Sequence, residues 1–213
     1  SAGSPKKYTS WLKERGIIVA HVIASSAFAV KCEEAGVDVL VAEGFEAGGH
    51  NGKEETTTMT LIPAVRKITS MPLMAAGGIG SGEAMFAAMA LGADGVQIGS
   101  RFAISEESSA HPDFKKMVIG LTEGDTKLAL KKIGAVRLIK NEFFQIINKM
   151  EQEGADAESL KAILGKGRAK LGMFEGDLVK GELEIGQVAS LINEILPVHT
   201  IMENLIAEYR AAK

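Results

Sequence analysis

Over the first hundred residues, short apolar runs alternate with helix-like segments closed by glycine. This alternation limits the fold more than any other feature of the chain. Residues 16–24 carry Ile17, Ile18, Val19, Val22 and Ile23, and the next apolar runs are 37–42, 72–76 and 95–98. Between them, residues 27–35 read as a helix closed by Gly36, 61–69 as a helix-like segment, and 82–91 as a small-residue helix closed by Gly92. Continuous apolar strands separated by helices indicate a parallel sheet buried on both faces. Right-handed βα units in series build either a doubly wound sheet or a (β/α)8 barrel.

The pattern changes after about residue 105. Residues 122–133, 141–152, 158–164 and 185–210 read as helices, with Pro197 as a kink or break in the last. Lys161, Lys166, Arg168 and Lys170 form a local basic cluster that reads as solvated surface. Four strands are half of what a (β/α)8 barrel needs. The opening Ser1-Ala2-Gly3-Ser4-Pro5 reads as a loop following a strand that the chain does not carry. The expected fold is therefore α/β: the C-terminal part of a (β/α)8 barrel, about four βα units, followed by a helical segment. Four parallel strands with an open edge would leave backbone groups unpaired, so a homo-oligomer or a complementing N-terminal segment is expected as partner.

Charge and composition remove several classes of function. The chain has 213 residues, with 24 Lys+Arg against 27 Asp+Glu, for a net charge of -3. That balance gives no basic field for nucleic acid. The single cysteine, Cys32, rules out an internal disulfide framework and fits a reducing compartment. No apolar run reaches the length of a membrane helix, and no secretory signal opens the chain, so the expected location is cytoplasmic. No Cys/His spacing suggests a metal site.

Two glycine-rich segments carry chemistry. Residues 75–82 (AAGGIGSG) place Gly77 and Gly78 after a strand and before a helix N-terminus, an arrangement suited to a phosphate. About twenty residues on, Gly99 and Ser100 follow the next strand. Tandem turns of this kind match the phosphate site after strands 7 and 8 of many (β/α)8 enzymes. Residues 43–52 (EGFEAGGHNG) set His50 between glycine pairs at a strand's C-terminal end, where barrel active sites lie. Histidine is the side chain best suited to proton transfer near neutral pH. Glu43 and Glu46 could position a ligand, orient a neighbour or satisfy backbone N–H groups. His21 reads as a core residue, and His111 and His199 as ordinary loop and helix positions.

Residues 43–52, 75–82 and 91–102 (LGADGVQIGSRF) resemble the nitronate monooxygenase family, formerly called 2-nitropropane dioxygenases, which includes the flavin-dependent enoyl-acyl-carrier-protein reductase II enzymes. Residues 106–112, 136–141 and 181–187 also look like that family, and the resemblance spans essentially the whole chain. It implies a barrel that binds FMN, with a helical segment covering the active site. Residues 1–105 and 186–213 would form the partial FMN-binding barrel, and 106–185 a helical lid on the substrate side. By the same resemblance Gly77, Gly78, Gly99 and Ser100 would hold the FMN phosphate. His50 would be the catalytic histidine beside the flavin ring, with Ala47, Gly48 and Gly49 lining that wall. Family members are longer, and roughly their first third is absent here.

The resemblance implies one of two reactions. In the first, FMN oxidises an alkyl nitronate and oxygen completes the reaction. In the second, NAD(P)H reduces FMN, which delivers hydride to an enoyl thioester on acyl carrier protein. The Gly52-Lys53 and Thr57-Thr58-Met59-Thr60 stretches look more like the reductase branch, while Glu54-Glu55 departs from it. A third alternative is a non-catalytic fragment of such an enzyme.

Overall fold

The computed structural model describes residues 3–213; Ser1 and Ala2, at the start of the opening loop, lie outside the described residues. In chain order the elements are α1 (Thr9–Lys13), β1 (Ala20–Ile23), α2 (Ser26–Glu34), β2 (Val39–Glu43), β3 (Gly49–His50), α3 (Thr58–Arg66), β4 (Leu73–Ala76), α4 (Gly82–Ala90), β5 (Gly95–Gln97), α5 (Ser100–Ala103), α6 (Pro112–Val118), β6 (Thr126–Ala129), β7 (Val136–Ile139), α7 (Glu142–Gln152), α8 (Ala157–Leu164), α9 (Arg168–Met173) and α10 (Val198–Ala212). They fall into two compact units. One comprises Ser1–Glu46, Gly52–Ile98 and Leu205–Lys213, the other Ala47–Asn51 and Gly99–Asn204.

The first unit is a parallel four-stranded sheet in the order β1-β2-β4-β5, as the alternation of apolar runs and helices requires. The register runs Ala20↔Val39 to Ile23↔Ala42, then Leu40↔Leu73 to Glu43↔Ala76, then Met74↔Gly95 to Ala76↔Gln97. Strand side chains alternate between faces. Ile23, Leu40, Ala42, Leu73 and Ala75 pack on one face against Cys32 of α2, Leu61, Ile62 and Val65 of α3, and Ala88 of α4. The other face is only partly covered: Val22, Val39 and Met74 are half-buried, and Ala20 and Gln97 are exposed. His21 is a core residue, 6% exposed, and burial lowers its pKa; its Nε2 has no hydrogen-bond partner among the described residues.

The second unit contains an antiparallel sheet in the order β3-β7-β6. β6 and β7 lie inside the segment expected to be helical, which corrects that expectation. In residues 122–133 the spacing of Leu128, Ala129, Leu130 and Ile133 imitates a helical face. The backbone turns instead, at Gly124 (φ +84), Leu130 (φ +59) and Gly134 (φ +156), and leaves a strand between turns. β7 is buried at all four positions, so it shows no alternation to read. Its Val136 and Leu138 pack with Phe144 and Ile147 of α7 and Leu160 of α8. A separate cluster joins Phe114 and Val118 of α6 to Ile139, Leu183 and Ile185. The helix expected over 185–210 is broken. A short 3-10 helix covers Gln187–Leu191, Ile192 is extended, and α10 starts after Pro197, which lacks an N–H donor and disfavours the helical region in the residue before it.

Candidate active site

In the first unit the ends of β2 and β4 are tied together around Thr58, the first residue of α3. The Thr58 hydroxyl donates to the carbonyls of Ala76 (3.1 Å) and Gly77 (2.8 Å). The Thr58 N–H donates to the Glu46 carboxylate at 3.0 Å, and the Gly44 N–H donates to the Ala76 carbonyl at 2.9 Å. Of the three roles open to Glu46, the structure shows the last: it satisfies a helix-terminal N–H, where the helix dipole favours a negative charge. Glu43, at the end of β2, has its carboxyl pushed up by burial.

Gly77 and Gly78 both adopt positive φ, +86 and +71, as the turn out of β4 requires. A Cβ on Gly77 would sit 2.6 Å from the Gly44 carbonyl oxygen, so only glycine fits there. Among the described residues, no carbonyl or side chain accepts the N–H groups of Gly78 or Ile79. The N-terminus of α4 itself is already engaged. The Gly82 N–H donates to the Glu208 carboxylate of α10 at 2.7 Å, and the Ala84 N–H to the Ser81 hydroxyl. The anion-compatible donors therefore lie on the turn at Gly78 and Ile79, ahead of the helix end.

In the second unit, Gly48, Gly49 and Ser100 gather on the segment 184–186. A Cβ on Gly48 would lie 2.5 Å from the Gly186 nitrogen, and one on Gly49 2.5 Å from Glu184 Oε2. The Ser100 hydroxyl accepts the Gly186 N–H at 3.0 Å. β3 pairs with β7, Gly49 opposite Arg137 and His50 opposite Val136. Asn51 fixes the loop: its side-chain amide donates to the carbonyls of Ala47 (2.9 Å) and Gly49 (3.1 Å), and its N–H to that of Ala135 (2.8 Å). His50 is exposed and Ala47 buried. Gly99 precedes α5 in open space.

One carboxylic acid, Glu184, acts on His50 and a second, Glu182, acts on Glu184; sequence reasoning singled out neither. Glu184 bridges to Leu138 of β7. Burial raises its pKa, and the charge of His50 opposes that rise. Glu182 is 7% exposed and its pKa is pushed up to about 7, first by burial and then by Glu184, against the pull of Arg168. The available signal was the period-two pattern Glu182-Leu183-Glu184-Ile185, which places both acids on one side of an extended segment. Thr58 was quoted only as part of a motif.

Other singled-out residues have structural roles. His111 caps α6 by accepting the Asp113 N–H at 3.2 Å. The basic cluster is dispersed: Lys161 pairs with Glu158 and Lys170 with Glu175, while Arg168 donates to the carbonyls of Ile163, Leu164 and Lys180 and stacks on Phe143. Among the described residues no helix is long and apolar enough to cross a membrane.

The family model described as nitronate monooxygenase matches residues 1–208. Among curated proteins, the chain is 32% identical to a probable nitronate monooxygenase of Bacillus subtilis (strain 168), over 90% of this chain and 60% of that protein. It is 37% identical to a probable nitronate monooxygenase of Staphylococcus saprophyticus, over 68% of this chain and 44% of that protein. Among solved structures it is similar to FabK from Thermotoga maritima: 40% identity, TM-score 0.92, 99% of this chain and 66% of that one. A nitroalkane oxidase from Streptomyces ansochromogenes matches at 28% identity and TM-score 0.78, over 97% of this chain and 61% of that one. The chain thus spans 60% or less of these two curated relatives' lengths.

Proposed function

Because the chain belongs to the nitronate monooxygenase family, we propose that it carries the histidine site and a phosphate turn of an FMN-dependent oxidoreductase. Its four βα units are the C-terminal part of a (β/α)8 barrel. The half-covered sheet face at Ala20, Val22, Val39 and Met74 is the face that such a barrel would bury. The observation that carries the reading is the placement of His50 on a strand fixed by β7, Asn51 and the segment 184–186.

FMN fits the residues present. Gly78 and Ile79 offer N–H donors at a positive-φ turn, and the family resemblance assigns Gly99 and Ser100 to the phosphate as well. Ala47, Gly48 and Gly49 leave the wall beside His50 free of side-chain bulk. When bound, FMN supplies the hydride or electron transfer. The protein's part is to orient the substrate and move its proton. His50 positions a nitronate, which has already lost its α-proton, or takes a proton from a neutral carbon acid, or gives one to the carbon next to a thioester carbonyl, through an imidazole nitrogen.

The family and its curated relatives support oxidation of alkyl nitronates. A second reading, NAD(P)H-dependent reduction of an enoyl thioester on acyl carrier protein, is favoured by the higher identity and TM-score against FabK. The test supplies the protein with FMN and measures oxygen uptake with a nitronate, and NADH oxidation with an enoyl thioester. One of the two should turn over, and His50→Ala should lower its kcat/KM by about 10²–10⁴-fold while FMN binding stays. Absence of both activities would overturn the proposal.

A further inference from the structure

We propose that Glu184 selects substrates at His50 by charge: an anion is admitted while the Glu184 carboxyl is protonated, an uncharged substrate in either state. The inference rests on the reading of His50 as the residue that meets the substrate. It decides which of the two substrate classes the site favours at a given pH.

The strand register carries the argument. His50 stands opposite Val136 and Glu184 opposite Leu138 on β7. Cross-strand partners share a face, and residues two apart on a strand point the same way. His50 and Glu184 therefore occupy one face. Lys127 of β6 holds the other edge of β7 at Leu138, so Glu184 follows Gly49 along the same edge as β3. Same-face positions two residues apart on such an edge are about 7 Å apart. The carboxylate lies against Gly49, the residue before His50, and glycine there leaves it room.

Of the groups around it, His50 is the one whose charge opposes the rise in the Glu184 pKa. Glu182 lies on the same side of the segment and is a second acid. Arg168 acts on Glu182, and its guanidinium is committed to three carbonyls. Arg137 stands opposite Gly49, between the β7 positions that His50 and Glu184 face. Lys127 shares the face one strand further away, with its ammonium directed at Asn148 (3.4 Å). Burial already raises the Glu184 pKa, so its charge state changes closer to neutral pH than that of a solvated carboxyl. An ionised Glu184 at this separation weakens binding of a unit anion on the order of ten- to fifty-fold.

The kinetic test uses the FMN-loaded protein, preformed ethyl nitronate as the anionic probe, and as the neutral probe an uncharged crotonyl thioester of N-acetylcysteamine that reoxidises photoreduced FMN, so that no anionic NADH enters the assay. Initial rates are measured across the pH range in which the Glu184 carboxyl titrates, located by the NMR titration below. In the wild type, kcat/KM for ethyl nitronate should fall by about ten- to fifty-fold relative to the neutral probe as pH rises. In Glu184→Gln the relative fall should vanish. A relative slope that survives in Glu184→Gln, or equal slopes for both probes in the wild type, would overturn the proposal. A readout independent of turnover is the ¹³C NMR titration of the Glu184 carboxyl, its signal identified by its loss in Glu184→Gln. His50→Gln should shift that titration upward, and an unmoved titration would overturn the proposal. If the wild type turns over neither probe, the oxidoreductase reading fails and the titration alone decides on Glu184.

Discussion

Glu182 is the residue at which burial and function pull hardest against each other. The residue is 7% exposed, and its pKa rises from 4.5 to about 7 because the charged form is poorly solvated there and Glu184 is close. The folded state therefore binds more protons than the unfolded state between pH 4.5 and 7. The stabilising contribution is full below 4.5 and is lost as pH rises through about 7. Glu182→Gln should raise stability at pH 8 by on the order of 3 kcal/mol relative to its effect at pH 4.5. Urea unfolding at the two pH values measures this, and an equal effect at both would contradict it. His21, buried with a lowered pKa, bends the stability curve the opposite way, losing stability as pH falls below about 6.5.

At the scale of elements, β3 is only two residues long and has little hydrogen bonding of its own. It is held by β7, Asn51 and the close approach of Gly48 to the backbone at residues 185–186. Gly48→Ala would drive a methyl group into that backbone, 2.5 Å from the Gly186 nitrogen. The expected cost is about 1–3 kcal/mol, with a fall in turnover as His50 is displaced. Thermal unfolding and kcat measure the two effects, and a variant with wild-type stability and turnover would show that the contact does not position the strand.

The contrast between the units explains what the sequence disclosed. β1, β2, β4 and β5 were legible because each is a continuous apolar run between helices. His50 and the Gly77-Gly78 turn were legible because glycines frame them. β3, β6 and β7 were not, because a two-residue strand has no period and a fully buried one shows no alternation. Glu184 was hidden for a related reason: only the pairing of its segment with β7 brings it beside His50. The partner of the α4 N-terminus, Glu208 of α10, was hidden because it lies 126 positions away in the chain.

At the scale of the molecule, the proposed function assigns each unit one part of a flavoenzyme's equipment. The first has a phosphate-compatible turn clamped by Thr58 and Glu46. The second has a histidine on a clamped strand with a carboxylic acid beside it. The central claim is that these parts serve a flavin, and the most direct measurement is the visible absorption spectrum of the purified protein, before and after addition of FMN. The account predicts a bound-flavin band near one equivalent that Gly77→Ala diminishes, since a Cβ there collides with the Gly44 carbonyl and distorts the turn. A spectrum without flavin that added FMN does not change would contradict it.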